Sequence, residues 1–413
     1  MNIILIRTCL NCCPYCFEVD ERQHSDKELL DLEGARTLAA WCNDAGVNSI
    51  GLLGGEPFLH PQIREIIDIF KKECPRIPRM IFTGGLVHTD VFKKIHPDDG
   101  SLLFNVNEVR DYKSHQDAAQ VLKNVDYSIR NGFDVTLGFN VWRIDFNTSF
   151  MPQLSYDMGR TRFRWTVANP AGSSKIQIVS PEYFRKLSQS CMDMLHTATK
   201  LGLQCTLDCH LPLCFFNEKQ LAWLVKYHPQ TVTSLGTCNP PIDVTPELDV
   251  IRCFSTSKFC RARITDFSTE SEIKDFFKKC VDQPLLMGTG IFPECVYCQD
   301  FLSNRCQGGC LGWREPAVQN ESSNLAEQVF NLLSSDEDQA ALDKIESASQ
   351  RSQSPLSLFL GAIAAQSLGD MPTAYRFASK ALSYAKDEQL RQKIFNFLKM
   401  LDPPFPLLGE TEH

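Results

Sequence analysis

The chain has 413 residues, 43% of them hydrophobic and 22% charged, with a formal net charge of −8. That length sets a prior of two to three domains with a real core, and the acidic balance argues against a nucleic-acid-binding surface as the main activity. Eighteen cysteines would suit a secreted disulfide scaffold, but the apolar start is too short for a signal peptide and runs straight into a cysteine loop. A cytoplasmic chain that binds metal or clusters is expected instead. The longest apolar stretch, around 356–365, is too short and too polar to span a bilayer, so no membrane partner is expected.

In chain order, the first predicted element is a short buried strand at 3–6. It leads into Cys9-Leu10-Asn11-Cys12-Cys13-Pro14-Tyr15-Cys16, where Cys9, Cys13 and Cys16 stand in the spacing C-x3-C-x2-C and Cys12 falls inside the first gap. A compact loop can fold three thiolates onto three corners of an iron–sulfur cube, leaving one iron open to a substrate. A zinc loop is the alternative. A helix is expected over 25–45, ending at Gly46, then a strand over 47–53 that runs into Gly54-Gly55-Glu56-Pro57. Two glycines let backbone come close to a ligand, and Glu56 or backbone carbonyls can accept from an ammonium; a plain Gly-Gly turn is the other possibility. Further strands are expected at 80–82, leading to Thr83-Gly84-Gly85, and at 102–107, 135–141 and 163–167, with helical apolar spacing at 61–72 and 116–131. Strand-then-helix units repeated this way imply an α/β fold with a parallel sheet.

The C-x3-C-x-aromatic-C loop, with Tyr15 in the aromatic place, followed by Gly54, Gly55, Glu56 and Pro57, resembles the radical SAM superfamily. The resemblance implies a partial (β/α)6 TIM-like barrel over residues 1–204 and a [4Fe-4S] cluster on Cys9, Cys13 and Cys16. It also implies S-adenosylmethionine, with its amino group received at the Gly-Gly-Glu-Pro turn. Asn105 and Asn107 take the place of a Ser-x-Asp pattern that meets the cofactor ribose, and Asn140 is a further polar candidate at the end of the fifth strand. Arg164 suits the cofactor carboxylate, since Arg forks match that group. For each of these four, an ordinary strand-end hydrogen bond is the competing role.

From about residue 205 cysteines come in quick succession: Cys205, Cys209, Cys214, Cys238, Cys253 and Cys260. After Cys280 the densest group reads Cys295-x2-Cys298-x7-Cys306-x3-Cys310. Residues 205–318 are similar to the SPASM/twitch extension of peptide-modifying radical SAM enzymes. Cys238 and Cys253 match its first pair in span, with Leu248 where Gly is usual; the second group matches except for a longer middle gap, and no cysteine follows Cys310. At least one auxiliary [4Fe-4S] cluster is implied, on Cys238, Cys253, Cys295 and Cys298. A second would need Cys306, Cys310 and a recruit such as Cys209, Cys214 or Cys260, or a non-cysteine ligand. Zinc remains the alternative, because C-x2-C pairs serve both metals. Cys42, Cys74, Cys191 and Cys280 read as buried small hydrophobes.

Residues 319–413 carry helical apolar spacing at 323–333, 336–348, 357–367, 371–385 and 387–401. Leu368-Gly369-Asp370, followed by Ala374, Ala378 and Ala381, resembles the second helix of a tetratricopeptide repeat, and an all-α extension follows, structural or protein-docking in role.

The resemblance implies reductive cleavage of S-adenosylmethionine to methionine and a 5′-deoxyadenosyl radical that abstracts hydrogen from a substrate, with the protein holding the radical against its target. Peptide or protein is the expected substrate, and a flavodoxin- or ferredoxin-like protein the one-electron donor. The alternatives are a radical SAM enzyme acting on a small metabolite, and a non-catalytic zinc-binding interaction protein; the Gly-Gly-Glu-Pro turn has no use in the latter.

Overall fold

A computed structural model describes residues 1–18, 27–169, 181–287, 290–292, 295, 298–314, 324–347, 355–385 and 387–401. The expected helix residues 25, 26, 323 and 348 lie outside this set. The chain divides into two compact units, Met1–Lys274 and Asp275–His413.

Seven strands of the first unit run parallel and lie side by side in chain order: β1 (Asn2–Ile4), β2 (Ile50–Leu53), β3 (Arg79–Thr83), β4 (Ser101–Asn105), β5 (Val135–Val141), β6 (Arg162–Val167) and β7 (Gln204–Leu207). Helices α1 (Leu32–Asp44), α2 (Ile63–Glu73), α3 (His115–Arg130), α4 (Phe150–Asp157) and α5 (Pro181–Lys200) make the crossovers, except between β3 and β4, where the 3-10 turns Thr89–Lys94 and Pro97–Asp99 serve. Three short strands then return to the other side of β1. β8 (Asp243–Val244) pairs with it in parallel, and β9 (Asp249–Ile251) and β10 (Ala262–Arg263) follow antiparallel, giving the order β10-β9-β8-β1-β2-β3-β4-β5-β6-β7. The result is the expected partial parallel barrel, widened by one parallel strand at one end and three at the other.

Local chemistry explains the elements. On α2, Ile63, Ile66, Ile67 and Phe70 are buried, a helical stripe whose side chains each contribute roughly 1.5–3 kcal/mol by leaving water. α1 begins at Leu32 because the Asp31 carboxylate accepts from the Gly34 amide at 2.7 Å. The residues before it, expected to be helical from 27 onward, instead run extended beside the first strand's continuation: Arg7 N–H donates to Glu28 O at 3.0 Å and Leu30 N–H to Leu5 O at 2.9 Å. Those backbone groups need partners, and this segment supplies them.

The second unit carries the helices Asn324–Ser334, Asp338–Ser347, Pro355–Ser367, Met371–Tyr384 and Glu388–Met400. The middle one is buried on every side from Ser357 to Ala365. Against it lie the fully buried Ala374, Ala378 and Ala381, small residues that let the two helices come close. Gly369 at φ +79° ends the middle helix, and Asp370 caps the next by accepting from Thr373 N–H at 3.1 Å.

Candidate active site

The C-terminal ends of β1 to β6 share one end of the sheet, as they must in a parallel barrel. The cysteine loop leaves β1 there. Cys16 N–H donates to Cys13 O at 3.1 Å, closing a tight turn through Pro14 and Tyr15. Cys9, Cys13 and Cys16 are half-buried, whereas Cys12 is exposed. Burial pushes the Cys13 thiol up to about 12, with Cys16 and then Cys9 adding to it. A thiol held protonated in this way gives up its proton when a cation takes the sulfur, which is the chemistry of a cluster loop. Among the described residues, no three His, Cys, Asp or Glu side chains stand close enough to share one metal ion. In a cube each thiolate takes its own iron.

The feet of this loop are tied. Arg7 and Glu18, each 1% exposed, form an ion pair, and Arg7 also meets Glu247 at 2.9 Å. Lys113 Nζ donates to Leu10 O at 3.3 Å. Phe17, next to Cys16, packs on Phe254, next to Cys253, with ring centroids 4.2 Å apart.

Gly54 and Gly55 end β2 hard against the start of the same loop. A Cβ on Gly54 would overlap Ile6 O, and one on Gly55 would overlap Arg7 O and Thr8 O. Gly55 N–H donates to Ile6 O at 2.6 Å and Glu56 N–H to Thr8 O at 2.8 Å. The close approach that the glycines allow is therefore to the chain's own backbone. The Glu56 carboxylate is buried and accepts from Thr83 Oγ1 at 2.8 Å, Gly84 N–H at 2.9 Å and Phe58 N–H at 3.3 Å. It locks the end of β2 to the end of β3, and Pro57 opens the 3-10 turn Pro57–Leu59 beside it. Burial raises this carboxyl to about 7.

Tyr15, Asn107 and Asn140 come together under the loop. The Tyr15 hydroxyl donates to Asn107 Oδ1, and Asn140 and Cys13 are its other neighbours. Asn107 Nδ2 lies 3.7 Å from Cys13 Sγ, and its backbone N–H donates to the Tyr112 hydroxyl at 3.0 Å. Asn105 sits apart from this group, over Gly138 on β5, with its Oδ1 2.8 Å from where a Cβ would stand. Arg164 is paired with Asp208, just beyond β7, and its guanidinium lies 5.2 Å from the Phe82 ring.

In the second cysteine region the structure brings Cys238 and Cys253 together, within 3.7 Å and 3.8 Å of one Arg252 nitrogen. Leu248, in the turn between β8 and β9, has φ +69°. That is the left-handed conformation glycine favours, at the position where the pattern would have a Gly. Cys295, Cys298, Cys306 and Cys310 lie in the second unit. There Cys298 N–H donates to Cys295 O at 3.2 Å and Gly308 N–H to Cys306 Sγ at 3.3 Å. A Cβ on Gly290 would overlap Cys295 Sγ and stand 3.2 Å from Gly308 Cα, so the Cys295 and Cys306 segments close on each other. Cys209 and Cys214 are exposed, and Cys42, Cys74, Cys191 and Cys280 are buried. Sequence reasoning missed Arg7, Glu18, Glu247, Arg252 and Asp208; only Glu18, an acid right behind the cysteine loop, carried any local signal.

Residues 3–143 match the family model of the radical SAM superfamily. The chain therefore carries a radical SAM domain over those residues. It is an enzyme whose cofactors are a [4Fe-4S] cluster and S-adenosylmethionine, and the residues around the loop fit both. Streptococcus suis SuiB bound to its precursor peptide SuiA is similar in fold, at 14% identity over 78% of this chain and 73% of that one, with a TM-score of 0.51. So is anSMEcpe with bound AdoMet, at 15% identity over 75% and 89% of the two chains and a TM-score of 0.52. The same protein with AdoMet and the Cp18Cys peptide matches at 15% identity over 75% and 88%, with a TM-score of 0.51. No curated protein matches by sequence. Among the described residues of this radical SAM enzyme, no helix is long and apolar enough to cross a membrane.

Proposed function

We propose that this radical SAM enzyme modifies a peptide or protein at an unactivated carbon, in the cytoplasm, with a flavodoxin- or ferredoxin-like protein as its electron donor. A cluster on Cys9, Cys13 and Cys16 supplies, when bound, the electron that splits S-adenosylmethionine into methionine and the 5′-deoxyadenosyl group that takes hydrogen from substrate. This chain's own residues position that chemistry. Gly54 and Gly55 press the β2 end onto the cysteine loop, and Glu56 holds the turn rigid through Thr83 and Gly84. With its carboxylate committed, the carbonyls of this turn are the acceptors for the cofactor's ammonium. Arg164, held in place by Asp208, offers its remaining N–H groups to the cofactor carboxylate.

The observation that carries the peptide assignment is the left-handed Leu248 ahead of Cys253, which pairs with Cys238 around Arg252. It supports a twitch-like second cysteine region, and the two proteins of similar fold were both seen with peptides bound. Cys238, Cys253, Cys295 and Cys298 are the proposed ligands of an auxiliary [4Fe-4S] cluster, with Cys306 and Cys310 as further candidates. The test is anaerobic reconstitution of the full chain, with iron and sulfide counted and 5′-deoxyadenosine measured after reduction. Deuterated cell extract, separated into peptide and metabolite fractions, is then supplied. Deuterium in 5′-deoxyadenosine from the peptide fraction supports the assignment; deuterium from the metabolite fraction alone makes the substrate a small molecule. No 5′-deoxyadenosine at all ends the radical assignment.

A further inference from the structure

The pattern places Asn107 at the cofactor ribose, but its surroundings point elsewhere. The side chain is 5% exposed. Its Oδ1 accepts from the Tyr15 hydroxyl, and its backbone N–H is fixed by the Tyr112 hydroxyl at 3.0 Å. With the carbonyl oxygen turned to Tyr15, the amide nitrogen faces Cys13 Sγ at 3.7 Å. A sulfur anion needs a donor, so the hydrogen-bond partners on both sides fix the same amide orientation. The Tyr15 hydroxyl also meets Asn140 and the Cys13 sulfur itself.

We propose that Asn107 is a positioning residue of the catalytic cluster, donating its amide N–H to the Cys13 sulfur and so raising the cluster's reduction potential, with Tyr15 holding the amide in that orientation. The inference rests on Cys13 being a cluster ligand. Its physical basis is simple: a reduced cluster carries one more negative charge than an oxidised one. An N–H aimed at a ligand sulfur therefore stabilises the reduced form more, and hydrogen bonds to the sulfurs are among the terms that set cluster potentials. In a buried, low-dielectric setting the effect is larger than at the surface. An aromatic residue of the cysteine motif and a residue three strands away thus act as one device.

The test is a redox titration of the reconstituted full chain, followed by the electron paramagnetic resonance signal that S-adenosylmethionine perturbs, which separates the catalytic cluster from any other. Asn107→Ala is expected to shift the midpoint to more negative potential by about a factor of ten in the one-electron equilibrium, or about 59 mV. Asn107→Asp, which keeps the acceptor for Tyr15 but replaces the donor with a negative charge, should shift it at least as far. Tyr15→Phe should move it the same way by less. Should Asn107→Ala fail to load iron, the other two variants decide. A wild-type midpoint in the variants that load, joined to a loss of S-adenosylmethionine affinity in an Asn107 variant, would overturn the proposal in favour of a ribose contact. Wild-type protein with iron but no S-adenosylmethionine-sensitive signal would overturn the cluster assignment itself, a different failure.

Discussion

Arg7 and Glu18 stand at the two feet of the cysteine loop and close it with an ion pair that water scarcely reaches. Every proposed ligand of the catalytic cluster lies between them. Breaking a buried pair from one side leaves an uncompensated charge, at a cost of about 3–5 kcal/mol. Glu18→Ala is expected to cost that much in urea unfolding and to lower the iron retained at Cys9, Cys13 and Cys16. Glu247→Ala removes the second partner of Arg7, but Glu247 is 25% exposed, so water compensates and the loss should be smaller. Equal losses would mean the pair does not govern the loop.

Glu56 makes a pH prediction. Burial raises its carboxyl from 4.5 to about 7, so the folded state holds a proton that the unfolded state releases. Its contribution to stability is fully present below pH 4.5 and is lost as pH rises toward about 7. Glu56→Gln should flatten that part of the stability–pH profile, measured as urea midpoints across the range. The same variant should leave S-adenosylmethionine binding near wild type, because the carboxylate is spent on Thr83 and Gly84. A large loss of binding would assign the ammonium to the side chain after all.

At Leu248 the usual order of substitutions should invert. A left-handed backbone costs a residue with a Cβ about 1–2 kcal/mol. Leu248→Ala keeps that strain and loses the contact its side chain makes at Gly34, whereas Leu248→Gly loses the contact but sheds the strain. The glycine variant is expected to be the more stable of the two by about 1 kcal/mol, read from chemical denaturation.

For the auxiliary site, Cys295→Ala combined with Cys298→Ala should remove about four irons per chain. The Cys9, Cys13 and Cys16 cluster should still cleave S-adenosylmethionine without substrate, while turnover on the true substrate fails. Unchanged iron, with zinc in the native protein, would make this a zinc site.

The barrel was legible because its strands are short apolar-rich segments, unbroken and buried on both faces at Ile50–Leu53 and alternating at Arg162–Val167, and because helical spacing separates them. β7 to β10 were not: strands of two to four residues are too short to show a period. The segment at 27–31 looked helical because it runs into α1 without a Gly or Pro; only Asp31, an N-cap, marked the true start. In the site, the thiolates and the turn at Gly54 were visible as local spacing. Arg7 with Glu247 was not, for no local pattern links residues so far apart in sequence. Asn107 was found by position at its strand end; its contacts with the Tyr15 hydroxyl and Cys13 Sγ were not, for the same reason.

β1 is an interior strand whose outer neighbour, β8, lies some 240 residues later in the chain. At synthesis rates of 5–20 residues per second the wait is roughly 12–48 s. For that time the first strand made carries an unpaired, apolar edge, an invitation to stray pairing. A nascent chain of this kind is a natural client for a chaperone. For the same reason, an expression fragment that stops before Asp243 leaves that edge open for good, and should aggregate where one reaching Lys274 stays soluble.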